Sequence, residues 1–185
     1  SPINTDYIYA IIEGSEDGRG FYRSTDRGAS WEKRSSHNTA GNYYTEIIAD
    51  PNVLDKVYSM DTWAVVTTDG GKTFSKVGEK NKHVDNHAIW VDKDLSAHML
   101  MGCDGGLYET WDGAKTWNFK GNLPITQFYH VSVDQDKPFY HIYGTYCGGP
   151  LHIKKTRFVA EFFDLDQALN FLLDLTGEEP LLISY

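Results

Sequence analysis

Cysteine and arginine are scarce in this chain, and positive charge is outnumbered. Of its 185 residues two are cysteines, Cys103 and Cys147. They form no Cys-x-x-Cys pair, which removes the common metal-ribbon spacing, and they leave open either one disulfide or two free thiols behaving as small hydrophobes. Arginine occurs at 19, 23, 27, 34 and 157, with none from 35 to 156. Lys and Arg total 17 against 26 Asp and Glu, a net charge of −9. Such a chain repels phosphate backbones, so a nucleic-acid partner is not expected. No apolar run approaches the roughly 18–20 residues that span a bilayer, so no membrane span is expected either. The first residues, Ser1 to Asp6, are polar and do not read as an export signal. There is no phosphate-binding glycine loop, dinucleotide fingerprint or nucleophile elbow, and neither a cofactor nor a metal is expected.

What the chain has instead is aromatic residues, 14% of the total: 12 Tyr, 9 Phe and 5 Trp, interspersed with β-branched residues and 17 glycines. That mixture, broken by regularly spaced turns, points to an all-β chain.

The turns repeat. Ser24-Thr25-Asp26-Arg27-Gly28-Ala29-Ser30-Trp31 returns as Thr67-Thr68-Asp69-Gly70-Gly71-Lys72-Thr73-Phe74, and again as Thr110-Trp111-Asp112-Gly113-Ala114-Lys115-Thr116-Trp117. Asp26, Asp69 and Asp112 are thus spaced at intervals of 43 residues. The flanks repeat as well. First strands (A) are expected at Tyr44–Asp50, His87–Asp92 and Phe128–Asp134. Second strands (B) are expected at Tyr7–Ile12, Val57–Met60, His98–Met101 and Phe139–Tyr143. The octapeptide then sits between third and fourth strands, C and D. A unit of 40–45 residues with four antiparallel strands is a β-propeller blade.

Each part of the octapeptide has a mechanical task. The Asp carboxylate accepts turn amides, and the leading Ser or Thr hydroxyl joins that network. Glycine at the fifth position permits positive φ, so the turn at Ala114 is expected to be either strained or differently closed. The closing aromatic, Trp31, Phe74 or Trp117, is expected to bury between neighbouring sheets. Three copies at equivalent turns favour a structural task for Asp26, Asp69 and Asp112 over a catalytic one.

This octapeptide resembles the Asp-box, or BNR repeat. The chain as a whole resembles the Asp-box propeller group of sialidases, xyloglucanase-type glycoside hydrolases and sortilin-type receptors. It is most similar to long secreted bacterial proteins of sortilin-like or glycosyl-hydrolase-like type. Tyr43 to Pro51, Asp85-Asn86-His87, Asp104-Gly105-Gly106 and Gln127 to His130 carry that likeness, which spans about residues 1–145. The resemblance implies a secreted or periplasmic location as part of a longer precursor.

Counting strands gives two complete blades and two incomplete ones over residues 1–147. Open sheet edges are an aggregation hazard, so self-association is an expected partner mode. The pattern changes beyond Cys147-Gly148-Gly149-Pro150. Arg157–Phe163 reads as a strand. Asp164 with Gln167 reads as a capping box, and Leu165, Ala168, Leu169, Leu172 and Leu173 form a helical stripe. Gly177 and Pro180 end that helix, and Leu181–Ser184 reads as another strand. Residues 148–185 are therefore expected to form a β-α-β appendage covering an open edge.

The candidate ligand-binding residues are His83, Asp85, Asn86 and His87, in a loop leading to an inner strand, with Asp104 in a B–C turn and His130 on the next inner strand. Glu46 and Asp61 occupy comparable positions. Two His, one Asp and one Asn can bind a metal or serve acid–base chemistry, although loop spacing fixes no metal geometry; the competing reading is a loop stitched by Asp and Asn hydrogen bonds to backbone. Trp63, Trp90 and Trp111 are expected to fill space between blades rather than to stack on sugars. Sialidase chemistry is argued down, because converging arginines are needed to grip a sialic carboxylate and both complete blades lack them. The expected function is binding or scaffolding, with a glycan or peptide ligand and no catalysis by the chain alone. The alternatives are a portion of a glycoside hydrolase whose paired carboxylates need further blades, and a truncated product with no independent function.

Overall fold

The computed structural model describes residues 1–41 and 44–122, together with the backbone of strands Phe128–Val133, Tyr140–Tyr146 and Phe158–Phe162. All regular structure among these residues is β. The chain divides into two compact units, Ser1–Lys120 and Gly121–Tyr185.

The first unit holds three antiparallel sheets in chain order. β1 (Ile8–Ile12), β2 (Gly20–Ser24) and β3 (Glu32–Ser35) form the first. β4 (Ile47–Ala49), β5 (Val57–Ser59), β6 (Val65–Thr67) and β7 (Ser75–Lys76) form the second. β8 (Asn86–Val91), β9 (Met99–Cys103), β10 (Gly106–Thr110) and β11 (Asn118–Phe119) form the third. Each strand pairs with its chain neighbour, as a propeller blade requires. The expected strands are present, with no end shifted by more than three residues. The fold is all-β, a partial β-propeller.

The octapeptide builds the same turn three times. Ser24, Thr67 and Thr110 donate their hydroxyls to Asp26, Asp69 and Asp112 at 2.7, 2.8 and 2.8 Å. The same hydroxyls accept the amides of Gly28, Gly71 and Ala114 at 2.8, 2.9 and 3.1 Å. Each Asp also accepts both the amide and the hydroxyl of the seventh residue, Ser30, Thr73 or Thr116. These bonds, above all the seventh-position hydroxyl, favour the ionised carboxylate. They hold Asp26 and Asp112 at a pKa of about 2 and Asp69 well below the ordinary range.

The fifth position has φ of 88° at Gly28, 92° at Gly71 and 69° at Ala114. Ala114 is therefore left-handed. The third copy tolerates a methyl there because its neighbour has shrunk. A Cβ on Gly71 would meet the Phe21 ring at 2.1 Å. The residue 43 positions after Phe21 is Ala64, and Ala64 and Ala114 lie in one buried cluster.

That cluster is the core of the unit and lies between the second and third sheets. Tyr58, Met60 and Ala64 meet Ile89, Val91, Met99 and Met101, with Ala114 and Trp117. Polar rivets join neighbouring sheets at their margins. Arg34 donates to the carbonyls of Asp69 and Gly70. Arg23 and Tyr9 converge on Asp55 at 2.7 and 2.9 Å. Asn52 donates to the Asp92 carbonyl.

Four aromatic expectations are corrected. Trp117 is buried and Phe74 packs edge-on to Phe21, but Trp31 is 46% exposed. Trp31 belongs to the first sheet, and no preceding sheet is available to it among the described residues. Trp63, Trp90 and Trp111, expected between blades, are also exposed. Trp90 and Trp111 project from the face of the third sheet opposite the core, where they flank His98. The Trp111 and His98 rings stack at 3.6 Å, and Trp90 meets the same imidazole edge-on at 5.4 Å. Lys76 covers Trp63 at 4.3 Å.

In the second unit β12 (Phe128–Val133), β13 (Tyr140–Tyr146) and β14 (Phe158–Phe162) form one antiparallel sheet in that order. The fourth blade was expected to stop at its second strand. It gains a third, because the strand read at Arg157–Phe163 pairs along β13 from Tyr140↔Phe162 to Gly144↔Phe158. The expected boundary at 147/148, the helix opening at Asp164 and the strand at Leu181–Ser184 lie outside the described residues.

Candidate functional site

The candidate residues between Glu46 and Asp104 come together where the connections into β8 and between β9 and β10 meet. The loop 77–85 leaves the second sheet and enters the first strand of the third. Its end is pinned by backbone pairing to the β5–β6 turn: the Asp85 amide donates to Thr62 O at 2.9 Å and the Asn86 amide to Asp61 O at 3.0 Å. The Asp104 amide then donates to Asp85 O at 3.1 Å, which brings the β9–β10 turn against the same loop.

His87 and Asp104 form the centre of the cluster. His87 Nε2 lies 2.9 Å from Asp104 Oδ1, and both side chains are well exposed. The Tyr44 ring stacks on His87 at 5.2 Å, with 17° between the planes, and its hydroxyl donates to Asp85 at 3.0 Å. Burial and the Asp85 carboxylate push the Tyr44 hydroxyl up from its ordinary pKa. Asp85 itself adopts φ of 63°, an uncommon conformation for a residue with a side chain and one of the strained positions that concentrate at functional sites. Glu46 lies within electrostatic reach of His87. Desolvation raises its carboxyl pKa and His87 opposes that, but the residue is exposed and water screens both effects.

His87 faces Asp104 because β8 is irregular there. Asn86 pairs with Cys103 and Ala88 with Gly102, so His87 is the extra residue of a bulge. A bulge re-aims a side chain away from the regular alternation of a strand.

The other candidates have different tasks. Asn86 is fully buried, and its amide donates to Asp61 O, Thr62 O and Glu79; it organises the loop from below. His83 is exposed, bonds Val84 O and packs over Gly105, whose missing side chain leaves the room. Asp61 accepts the Ala40 and Thr62 amides. His130 lies in β12, in the other unit, and is described by backbone alone. Cys103 is half-buried, with its thiol pushed up by burial; Cys147 lies outside the described residues.

Sequence reasoning passed over Tyr44, Glu79 and Lys82. Tyr44 stood inside a quoted motif, and its aromatic character two residues before Glu46 was the available sign. Nothing in the spacing of Glu79 and Lys82 distinguished them from solvated charges. Among the described residues no group of three or more His, Cys, Asp or Glu is arranged to hold a metal, and no helix is long and apolar enough to cross a membrane. A pocket of about 170 Å³ among the described residues, lined by Ser1, Ile8, Tyr9, Ile47, Ala49 and Val57, has neither carboxylate nor imidazole in its lining.

Comparison with known proteins points one way. The chain is similar to xyloglucanase Xgh74A of Acetivibrio thermocellus, with 31% identity over 140 residues. That match covers 73% of this chain and 14% of the relative, so the chain spans about one seventh of the curated relative's length. Among solved structures it resembles the GH74 xyloglucanase from Xanthomonas campestris (TM-score 0.56, 15% identity, 88% of this chain and 28% of that one). It also resembles the Niastella koreensis GH74 enzyme (TM-score 0.57, 14% identity, 90% and 28%). At such identities the solved structures carry the fold alone. No family model matches the chain. The relationship is to propeller-type glycoside hydrolases.

Proposed function

We propose that this chain is a glycan-binding portion of a secreted, xyloglucanase-like propeller protein, built on Asp-box blades, and that its ligand is a neutral β-glucan. The observation that carries the reading is the joining of Tyr44, Asp85, His87 and Asp104 at one solvent-open loop cluster. Carboxylates and an imidazole accept and donate the paired hydrogen bonds that vicinal sugar hydroxyls offer, and an aromatic face suits the apolar side of a pyranose. The lack of arginine from 35 to 156 favours a neutral sugar over an anionic one.

A second reading is supported by the exposed Asp104–His87 pair. In a glycoside hydrolase two carboxylates work across a cleft. Asp85 or Asp104 would supply one of them, and the rest of a longer protein the other.

The test is calorimetric titration of the chain with a xyloglucan oligosaccharide. Losing a charge-assisted hydrogen bond costs about 1.5–3 kcal/mol, so Asp104→Asn and His87→Ala should each weaken binding by roughly ten- to a hundred-fold. Absence of binding by the unaltered chain, or indifference to both substitutions, would remove the reading.

A further inference from the structure

We infer that Lys82 is a positioning residue for this site: its buried ammonium sets the bulge that turns His87 toward Asp104. The inference rests on the proposed glycan site for its functional meaning, while its geometric content stands separately.

The Lys82 side chain is completely enclosed. Its ammonium donates to the His83 carbonyl at 2.7 Å and to Asn86 Oδ1, and pairs with Glu79 at 2.5 Å. The faces of Trp117 and Tyr108 lie 5.7 and 6.0 Å away. A cation is removed from water only where it is paired and hydrogen-bonded, and here two acceptors bond the ammonium while the Glu79 carboxylate offsets its charge.

The consequence falls on Asn86. An amide side chain offers one acceptor and two donor hydrogens, and either orientation fits a site unless the neighbours decide. Lys82 claims the oxygen. The NH₂ group is therefore directed at the Asp61 and Thr62 carbonyls and at Glu79. Asn86 is also the first residue of the β8 irregularity, paired with Cys103 before His87 is skipped. Clamped from below by Lys82 and across by the β5–β6 turn, Asn86 cannot slide to restore regular pairing. Residue 87 must then leave the ladder on the side where Asp104 stands. Asp85, one residue earlier, is left-handed, with its amide bonded to Thr62 O and its carbonyl to the Asp104 amide.

A merely structural lysine would lower stability when removed and leave the folded site unchanged. A positioning lysine alters the site in molecules that remain folded. The experiment uses the full chain with ¹⁵N-labelled histidine and compares the original with Lys82→Met, Lys82→Arg and the exposed control Lys72→Met. Imidazole resonances of His87 are recorded, and affinity for a xyloglucan oligosaccharide is measured on the same samples. Lys82→Met should move or broaden the His87 resonances, leave those of His37 in place and weaken binding at least fivefold. Lys82→Arg should recover part of both effects, and Lys72→Met should show neither. Unchanged His87 resonances in a folded Lys82→Met chain overturn the inference. If that variant does not fold, Glu79→Gln, which loosens the hold on the ammonium, decides: displaced His87 resonances support the inference and undisturbed ones overturn it. If the unaltered chain binds no oligosaccharide, the functional proposal falls, and the His87 resonances still decide whether Lys82 sets the bulge.

Discussion

At the scale of single residues, the exchange of Phe21 and Gly71 for Ala64 and Ala114 is the most informative feature. The pairs stand at equivalent places in successive sheets, and each balances bulk on one sheet against bulk on the next. Gly71→Ala should therefore cost about 1–3 kcal/mol through overpacking against Phe21, beyond the strain of a side chain at φ of 92°. Phe21→Ala opens a cavity and should cost about 3–5 kcal/mol. The double variant recreates the arrangement of the third sheet, so its loss in urea unfolding should fall short of the sum by more than about 0.5 kcal/mol. Strict additivity would mean that the two residues do not share the space. Ala114 was legible in the sequence as an anomaly. Its explanation was not, because Ala64 lies fifty residues earlier in the chain and only packing reveals it as the partner.

At the scale of the element, the repeated turn was the best-read part of the chain. Its donors and acceptors all lie within eight residues, so sequence spacing alone fixes which groups can meet. The fourth position escaped notice. Arg27, Gly70 and Gly113 all have positive φ, and their amides donate to the Asp6, Asp55 and Ala97 carbonyls, hooking each turn to the segment before its own second strand. The turn carboxylates also carry a pH dependence. Asp112, like Asp26, titrates near 2 when folded against an ordinary 3.8. A depressed carboxylate contributes stability above its unfolded pKa and loses it as pH falls through the folded value. Asp112→Asn should therefore be less stable than the original chain from pH 7 to 5, with the gap in melting temperature closing between about pH 4 and pH 2. A gap that stays constant across that window would show that ionisation of Asp112 is not what the turn uses. The bulge at His87 belongs to this scale too. Period-two alternation cannot announce an extra residue, and its cause is a lysine in the preceding loop.

At the scale of the molecule, the buried hydrophobic residues among those described run from Phe21 to Trp117, all within the unit Ser1–Lys120. A chain of residues 1–120 should thus retain the near-ultraviolet circular dichroism of its packed aromatics and a cooperative melt. A flat near-ultraviolet spectrum would mean that the unit depends on residues 121–185. The third strand of the fourth sheet shows where pattern reading turned aside. With no octapeptide to mark it, Phe158–Phe162 looked like the start of something new, yet its backbone continues the sheet of β12 and β13. Sheet membership is a matter of long-range pairing, to which local composition is blind.

The sequence by itself determined the four-strand repeat and the geometry of its turns, because periodicity and short-range hydrogen bonding are written in adjacent residues. Tertiary structure alone decided that Trp63, Trp90 and Trp111 face solvent, that Asn86 works from inside, and that Lys82 is buried beneath the site. Those outcomes depend on which surfaces of distant segments come to lie together, and burial is a property of the assembled sheets rather than of any single stretch of chain.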